Sequence, residues 1–344
     1  MKKLSVNDLK DFSYGAVGFK EEQDRITFYR FTKEQQCLYE KIGDGPFYLH
    51  LKTFTSAGIK LVFKTNSSSL FIKVNISRIT TRSYFSYDVY ADDKMVGCID
   101  NFSDRTMADD YTVQSYPIGS FSKEFRLGEG VKTVTIYLPW SVVTEVIELS
   151  IDDEAFAEPV RRDKKLLIFG DSITHGYDSL RPSKHYTVKI EDYLGADGYN
   201  KAVGGEVFFP ELARTKEDFV PDYILVAYGT NDWGFDKHPE DFKARCKAFY
   251  EILSEKYPAS KIFAVTPIWR IDYRDDRKIG DFIRVSNYIN EVSAKLHNVY
   301  CIQGFDLVPH QKRLYADWGL HPNDAGFAYY AKALREQLDK ILKW

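Results

Sequence analysis

The sequence predicts two domains of different class, an all-β domain in residues 1–158 and a three-layer α/β/α domain in residues 159–344. The chain has 344 residues, and at about 100–200 residues per domain two domains are the default expectation. Apolar and polar residues alternate in short runs in the first half, whereas nearly continuous apolar runs and helical patterns fill the second half. A charged link near residues 150–164 separates the two patterns.

Short strands dominate the first half. Leu70, Ile72, Val74 and Ile76 occupy every second position of one run, and such alternation means that one face of the strand packs on a core. Turn-forming residues lie between these runs, and no long amphipathic helix interrupts them. The pattern predicts an antiparallel β-sandwich or jelly roll, with candidate strands at 26–31, 47–52, 58–64, 69–76, 84–91, 95–100 and 131–139.

The second half has the pattern of a parallel sheet. The apolar runs at 165–169, 223–227, 262–265 and 299–302 are typical of strands that are buried on both faces. Helical spacing of apolar residues covers 239–257, 281–297 and 324–342, and the first of these segments begins with Pro and acidic residues. Strands that alternate with helices predict a parallel sheet between two helical layers.

Composition excludes several classes of function. The 47 basic and 50 acidic residues give a net charge of -3, so nothing indicates nucleic acid or an anionic membrane as a partner. The four cysteines are far apart and form no CxxC pair, so we expect neither a metal nor another cofactor. No signal-peptide core and no 18-residue apolar stretch is present, and we expect a cytoplasmic protein without a spanning helix. A homo-oligomer is compatible with the sequence.

The segment 170–176, Gly-Asp-Ser-Ile-Thr-His-Gly, follows the first buried run of the second half. Sites in open α/β sheets form at the carboxyl ends of strands, and Ser172 would begin a helix there, where backbone N–H groups favour a developing anion. Simple N-capping by Ser or Asp is the alternative. Thr174 occupies the second glycine position of the G-x-S-x-G motif, which disfavours an α/β-hydrolase elbow.

Three further segments carry candidate functional residues at strand ends. Gly205 ends the run Asn-Lys-Ala-Val-Gly-Gly at 200–205, Asn231 lies in Gly-Thr-Asn-Asp at 229–232, and His321 precedes Pro-Asn-Asp before the last helix. Glycine exposes backbone N–H groups, the Asn amide can donate to an oxyanion, and His accepts protons near neutral pH. Taken singly, each of these segments is also compatible with an ordinary turn or helix cap.

Together the four motifs resemble the SGNH (GDSL-like) hydrolase superfamily over residues 164–344. The resemblance implies a flavodoxin-like three-layer sheet and a serine esterase that needs no metal. Ser172 would be the nucleophile and His321 its base. The backbone N–H groups of Ser172 and Gly205 and the side-chain amide of Asn231 would form the oxyanion hole. His175 is close to Ser172 in sequence, but the surroundings of His321 fit the family better.

The third member of the triad departs from the family pattern. The family usually places an Asp three residues before the catalytic His, where this chain has Trp318, and Asp317 lies four residues before His321. One more residue changes the reach by up to about 3.5 Å, and we expect a bend at Gly319 to absorb it. Either Asp317 orients His321, or a backbone carbonyl does so in a Ser–His dyad.

A β-sandwich before an SGNH domain also resembles the carbohydrate acetyl esterases of family two and related two-domain bacterial esterases. This resemblance implies removal of a small acyl group, in the first instance acetyl, from a sugar or oligosaccharide. Trp233, Trp269 and Trp318 accompany the catalytic segments and are candidates for substrate binding, with core packing as the alternative. A lipase or thioesterase for longer acyl chains is the rival function, and a carbohydrate-binding protein without catalytic activity is a second one.

Overall fold

The computed structural model describes residues 1–23, 25–42 and 47–343, and these residues divide into two compact units. The first unit comprises Met1–Thr32, Leu51–Arg162 and Leu180–Ser183, and the second comprises Lys33–His50, Asp163–Ser179 and Lys184–Trp344. The sequence placed a single boundary at 158/159. The second unit instead also takes residues 33–50 from the first half of the chain, and no sequence pattern predicted that.

The first unit is built from two antiparallel six-stranded sheets. One sheet has the order β3-β4-β11-β6-β9 with β1 paired to β11, and the other has the order β12-β5-β10-β7-β8 with β2 paired to β5. A short helix α1 (Val6–Asp11) follows β1. The strands are β1 Lys2–Lys3, β2 Ser13–Tyr14, β3 Gly18–Glu22, β4 Arg25–Tyr29, β5 Lys60–Thr65, β6 Ser69–Ile79, β7 Ser86–Ala91, β8 Lys94–Asp100, β9 Ser120–Arg126, β10 Lys132–Tyr137, β11 Val142–Ile151 and β12 Ala157–Pro159.

The core of this unit confirms the alternation that the sequence predicted. Ile72 and Val74 of β6 are buried with Phe63 of β5 and Val89 of β7 in one apolar cluster. Since β6 belongs to one sheet and β5 and β7 to the other, both sheets contribute to a single core. The candidate strand at 47–52 was wrong, because residues 49–52 form a short helix.

The second unit contains the predicted parallel sheet, in the order β14-β13-β15-β16-β17. The five strands are β13 Lys164–Gly170, β14 Ala196–Asn200, β15 Tyr223–Ala227, β16 Lys261–Val265 and β17 Val299–Ile302. The helices are α2 Lys33–Ile42, α3 Leu49–Lys52, α4 Ser172–His175, α5 Tyr186–Leu194, α6 Pro210–Arg214, α7 Thr230–Phe235, α8 Pro239–Lys256, α9 Phe282–Ser293 and α10 Asp324–Leu342. α3 extends two residues into the first unit.

The strands of this sheet are covered on both faces, as their continuous apolar runs predicted. Ile168 of β13 is buried in the same cluster as Leu194 of α5 and Leu334 of α10. The adjacent residue Phe169 points to the opposite face, where its ring lies 5.3 Å from that of Phe249 in α8. This arrangement confirms the three-layer α/β/α fold.

The strand order creates a switch point between β13 and β15. β13 comes first along the chain in this unit, and its neighbours β14 and β15 come second and third, so the connections diverge to opposite sides. Ligands in open α/β folds bind at the carboxyl ends of strands beside such a point. Ser172 follows β13, Gly205 follows β14 and Asn231 follows β15, so three of the predicted site residues lie at this edge.

A buried polar network fixes α2 to the rest of the second unit. The ammonium of Lys201 lies 3.2 Å from the Glu217 carboxylate and donates to Gln35 Oε1 at 3.0 Å, and both charged side chains are buried. Gln35 Nε2 in turn donates to Glu217 Oε1 at 2.6 Å and to Thr215 Oγ1 at 3.0 Å. The buried residues of α2 include Gln35 as well as Tyr39, so polar contacts contribute to the packing of this helix.

None of the helices in the described ranges combines the length and the apolar composition that a bilayer-spanning segment requires.

We predict that Lys201→Met lowers the free energy of unfolding by about 3–5 kcal/mol, because it leaves the Glu217 carboxylate buried without its cation. Adding Glu217→Gln removes that charge and should restore part of the loss. Urea denaturation of the two variants measures both effects. The control is Lys243→Met in the exposed pair with Glu240, which should change stability by less than about 0.5 kcal/mol. Similar small changes in Lys201→Met and Lys243→Met would contradict the prediction.

Candidate active site

Ser172 is placed by a sharp turn between β13 and α4. A Cβ on Gly170 would lie 2.9 Å from the carbonyl oxygen of Ala227 and against the side chain of Thr174, so only glycine fits at the end of the strand. Asp171 caps α4 by accepting a hydrogen bond from the Ile173 N–H at 3.0 Å. Since Asp171 provides the cap, the hydroxyl of Ser172 is available for another partner.

That partner is His321. Its Nε2 lies 2.8 Å from Ser172 Oγ, and both side chains are buried. The segment that carries His321 is held on both sides, since its carbonyl accepts from the Ala316 N–H at 2.8 Å and Asn323 caps α10 by accepting from the Gly326 N–H at 3.1 Å. A neutral imidazole in this position can accept the hydroxyl proton of Ser172.

The carboxylate of Asp317 meets the other side of the imidazole. Asp317 Oδ2 lies 2.7 Å from His321 Nδ1. Its second oxygen accepts backbone N–H bonds from Gly319 at 3.2 Å, Leu320 at 2.8 Å and His321 at 3.0 Å. These bonds compact the four-residue separation, so that the carboxylate reaches the ring. Of the two arrangements left open by the sequence, the structure has the one with Asp317 beside the imidazole.

The bend that permits this contact is one residue earlier than expected. The sequence analysis placed it at Gly319, but Trp318 is the residue in the left-handed region, with φ of 65°. A bulky side chain in this region is strained, and such strain is concentrated at functional sites. Gly319 is required for another reason, because a Cβ there would clash with the side chain of Ile271.

Asp178 is a site residue that the sequence analysis missed. Its Oδ2 lies 3.3 Å from His321 Nδ1, and its side chain is fully buried. It also has a positive φ, of 68°. The signal in the sequence was weak, since Asp178 is one of many acidic residues and follows Ser172 by six positions in a loop.

The two carboxylates change the proton affinity of His321. Burial alone would lower the pKa of His321, but the hydrogen bonds and negative charges of Asp178 and Asp317 outweigh it and raise this pKa to about 9. Burial would raise the pKa of Asp317, whereas the bonds from His321 and from backbone N–H groups lower it to about 2. Asp317 is therefore ionised at neutral pH and stabilises the imidazolium that forms when His321 takes a proton.

The predicted oxyanion residues lie in two loops that are tied together. Asn231, in the first turn of α7, donates from Nδ2 to the carbonyl of Glu206 at 2.9 Å, one residue after Gly205. An amide nitrogen has two hydrogens, so one hydrogen of Asn231 is left for an oxyanion. Gly205 has φ of 93°, which suits glycine. The preceding Gly204 donates its N–H to His175 Nδ1 at 3.2 Å, and this bond commits His175 to holding the loop.

The three candidate tryptophans lie in different environments. Trp233 is fully buried and donates from Nε1 to the carbonyl of Gly280 at 2.8 Å. Trp269 is also buried, with its ring stacked on that of His310. Trp318 keeps 47% of its surface exposed. Trp233 and Trp269 therefore pack inside the domain, and Trp318 is the tryptophan of this set whose ring can meet a substrate.

Two phenylalanines that the sequence analysis missed lie beside the oxyanion loop. Phe47 follows α2 in the segment 33–50, and its Cβ is 3.0 Å from the position that a Cβ on Gly205 would occupy. Its ring stacks on that of Phe235 at a centroid distance of 4.8 Å, and the two residues remain 38% and 45% exposed. Nothing in the local sequence indicates that a residue so distant along the chain reaches this loop.

Two cavities of different size border the site region. An open cavity of about 670 Å³ begins at Phe235, and its polar lining comprises Asp236, Lys237, His238, Asp276, Arg277 and Lys278. Ser172 does not line it. The second cavity, of about 20 Å³, lies beside Asp171 and Ile173, the two neighbours of Ser172. This volume holds about one water-sized group.

The spacing of Asp178, Asp317 and His321 is compatible with a metal ion, because one ligand atom from each lies within 4.8 Å of the others. A hydrogen bond already joins the nearest pair of these atoms, at 2.7 Å. A metal on His321 Nδ1 would replace the proton by which Asp317 holds the ring. The geometry therefore fits an acid–imidazole cluster better than a metal centre.

Comparison with known proteins identifies a family whose model matches part of the chain. The sequence matches the model of the GDSL-like lipase/acylhydrolase family over residues 168–329. All five residues expected to take part in catalysis lie within that range: Ser172, Gly205, Asn231, Asp317 and His321. No curated protein sequence matches the chain at a significant level.

Solved structures share the architecture of both units. A salicylyl-acyltransferase from a tetracycline biosynthetic pathway is 19% identical, with a TM-score of 0.78 over 96% of this chain and 94% of its own. A proposed GDSL-like lipase from Bacteroides ovatus is 20% identical, with a TM-score of 0.74 over 99% and 98% of the two chains. An acetyl xylan esterase from the rumen bacterium Butyrivibrio proteoclasticus is 15% identical, with a TM-score of 0.62 over 100% and 99%.

At these identities the likenesses show the fold, an all-β region followed by an α/β/α domain, as the sequence predicted. The family match over residues 168–329 is the finding that carries the assignment. Residues 168–329 match the GDSL-like lipase/acylhydrolase family, and this match supports the carboxylic ester hydrolase that the four motifs predicted.

Proposed function

We propose that this protein is a serine esterase that removes small acyl groups, acetyl in the first instance, from carbohydrates through an acyl-enzyme on Ser172. The observation that carries the proposal is the continuous chain of contacts from Ser172 Oγ through His321 to Asp317, at 2.8 Å and 2.7 Å. A buried hydroxyl bonded to an oriented imidazole is the arrangement that nucleophilic acyl transfer requires.

In the acylation step, Ser172 Oγ attacks the ester carbonyl carbon while its proton moves to His321 Nε2. The carbonyl oxygen becomes an oxyanion that accepts hydrogen bonds from the N–H groups of Ser172 and Gly205 and from the Asn231 amide. Collapse of this intermediate breaks the bond to the alcohol, which takes the proton from His321. Water then attacks the acyl-serine by the same route, releasing the carboxylic acid and restoring Ser172.

Exposed aromatic rings support a carbohydrate as the alcohol part of the substrate. The rings of Phe47 and Phe235 form a stacked pair beside the loop of Gly205, and Trp318 is half exposed next to Asp317. Flat rings suit the C–H faces of a sugar, whereas its hydroxyl groups need polar partners. The polar cavity that begins at Phe235 offers such partners.

The proposal of a short acyl group rests on the resemblance to two-domain acetyl esterases. Ser172 is not among the residues that line the cavity of about 20 Å³ beside Asp171 and Ile173, so that volume does not set the acyl length. A lipase slot would gain about 0.8 kcal/mol for each methylene that it buries, so a series of acyl lengths separates the two functions. The similarity in fold to an acetyl xylan esterase agrees with this substrate class.

Transfer of the acyl group to an alcohol instead of water is the second candidate. The neighbour with a TM-score of 0.78 is an acyltransferase, and an acyl-serine reacts with either acceptor by the same chemistry. The two functions differ only in what reaches the acyl-enzyme first, so a product analysis in the presence of an acceptor alcohol separates them.

We predict that kcat/KM falls steeply from acetate to butyrate to octanoate in a series of p-nitrophenyl esters, and that acetate is released from an acetylated xylo-oligosaccharide.

Ser172→Ala should lower kcat by about 10⁶-fold with little change in melting temperature. Phe47→Ala should raise KM for the acetylated oligosaccharide more than for p-nitrophenyl acetate, with Tyr48→Ala at the adjacent exposed position as the control.

Rising kcat/KM from two to eight carbons, without acetate release from the sugar, would favour a lipase or thioesterase. Acyl-sugar or acyl-alcohol products in place of free acid would favour transfer. Activity of Ser172→Ala within about tenfold of the unaltered protein would exclude the acyl-enzyme on this residue.

We also predict that Asn231→Ala lowers kcat by about 10²–10³-fold with little change in KM, since an oxyanion donor acts in the transition state. The matched control is Asn298→Ala. Asn298 is a buried Asn that donates to the carbonyls of Tyr257 and Ser260. The Asn298→Ala substitution should lower the free energy of unfolding and leave kcat within a few-fold of that of the unaltered protein. If Asn231→Ala changed KM alone, Asn231 would serve ground-state binding instead.

A further inference from the structure

His321 faces two carboxylates on the same side of its ring. Asp317 Oδ2 is 2.7 Å and Asp178 Oδ2 is 3.3 Å from the same atom, Nδ1. The first carboxylate lies four residues from His321 in sequence, and the second comes from the loop that follows Ser172. A triad needs only one acid at this place, so the presence of Asp178 requires an explanation.

The position of Asp178 is fixed by its own loop. The N–H groups of Gly176 and Tyr177 donate to the carbonyl of Ser172 at 3.2 and 3.0 Å. Ser179 donates its N–H to the carbonyl of Gly176 at 3.2 Å and its hydroxyl to Asp324 at 2.7 Å. Between these anchors Asp178 has φ of 68°, a conformation that costs energy for most residues but is tolerated by Asp and Asn.

We propose that Asp178 is a second positioning residue for His321, which shares with Asp317 the Nδ1 proton and the positive charge that the imidazole acquires during catalysis. The inference rests on the proposed function, because it describes how the base of that reaction is held. Asp317 is the closer partner, so Asp178 acts beside it and supports the same tautomer when the bond to Asp317 lengthens.

Burial makes a second negative charge effective. Asp178 is fully buried and His321 nearly so, and charges interact more strongly in such surroundings than in water. A second carboxylate therefore favours the imidazolium, and the hydrogen bond and charge of Asp178 act with those of Asp317 to raise the pKa of His321 against the effect of burial. A proton that has moved from Ser172 to His321 is accordingly held more firmly.

The other groups around the imidazole do not replace Asp178 in this role. Tyr177 packs its ring against that of His321 at a centroid distance of 5.3 Å. Asp171 interacts electrostatically with both His321 and Arg270. Tyr315 faces Asp317, and Asp324 accepts from Ser179. None of these contacts places a carboxylate on Nδ1.

The test uses Asp178→Asn, Asp317→Asn and the double variant in the full chain. Asn has the size of Asp and tolerates the same positive φ, so the substitution removes the charge and keeps the loop. Asp197→Asn is the control, because it removes a buried carboxylate that lies 3.2 Å from Lys165 Nζ at the start of β14 and leaves both acids of His321 in place. For each protein, kcat/KM for p-nitrophenyl acetate is measured from pH 5 to pH 10.

We expect Asp178→Asn to lower the plateau of kcat/KM about tenfold and to move its rising limb about one pH unit lower. The sign follows from the charge, since removing a carboxylate favours the neutral imidazole. In Asp317→Asn, kcat/KM should fall by about 10²–10³-fold, because Asp178 remains on Nδ1. A triad that loses its only acid loses about 10⁴-fold. In the double variant kcat/KM should fall by about 10⁴-fold or more. This loss exceeds the product of the two single losses when each of them is at its lower limit. Asp197→Asn should leave the rising limb of kcat/KM unmoved.

A double variant no worse than Asp317→Asn, with the same rising limb in Asp178→Asn and the unaltered protein, would overturn the proposal. The same effects in Asp197→Asn would show that loss of any buried carboxylate produces them, and would reduce Asp178 to a structural role. If Asp178→Asn did not fold, the NMR titration of the His321 ring in Asp317→Asn decides. Asp178 is then the carboxylate left on Nδ1 and should keep the pKa of the ring above its ordinary value near 6.5, whereas a pKa at or below that value would contradict the proposal. Absence of any esterase activity would instead contradict the proposed function, and the NMR titration would still test Asp178.

Discussion

The hydrogen bond between His321 Nδ1 and Asp317 is the contact on which the arrangement of the site depends. In the neutral imidazole this bond keeps the proton on Nδ1, so that Nε2 faces Ser172 Oγ as the acceptor. The bond exists only because three backbone N–H groups draw the carboxylate back over its own loop and because Trp318 accepts a left-handed backbone. The strain at Trp318 is offset by those bonds, and it also turns a large ring outward beside the site.

The sheet order explains why the loops of Gly205 and Asn231 meet the loop of Ser172. β13 has its successor β14 on one side and β15 on the other, so the loops after these strands gather at one edge. Glycine is needed at Gly170 and Gly205, where the chain turns or is approached closely by other residues. Phe47 also lies at this edge, and Gln35 of α2 is held by hydrogen bonds with the buried pair of Lys201 and Glu217.

Local chemistry determined how much of the site the sequence could predict. Ser172 and His321 belong to motifs that combine a strand end with a reactive side chain, and the structure places Ser172 Oγ 2.8 Å from His321 Nε2. Asp317 was named with its rival, a backbone carbonyl, because side-chain hydrogen bonds inside a loop leave no periodic pattern. Asp178 and Phe47 were missed, since their roles come from contacts between segments distant along the chain. Trp233 was named for its position near Asn231, but its burial depends on tertiary packing.

The most direct test of a base-activated Ser172 is covalent trapping. The protein is incubated with a p-nitrophenyl alkylphosphonate, which mimics the tetrahedral intermediate, and the adduct is located by peptide mass spectrometry. The account predicts one adduct, on the peptide that contains Ser172, which forms at least about 10³-fold more slowly in His321→Ala. An adduct on another residue, or labelling of Ser172 at the same rate without the imidazole, would contradict it.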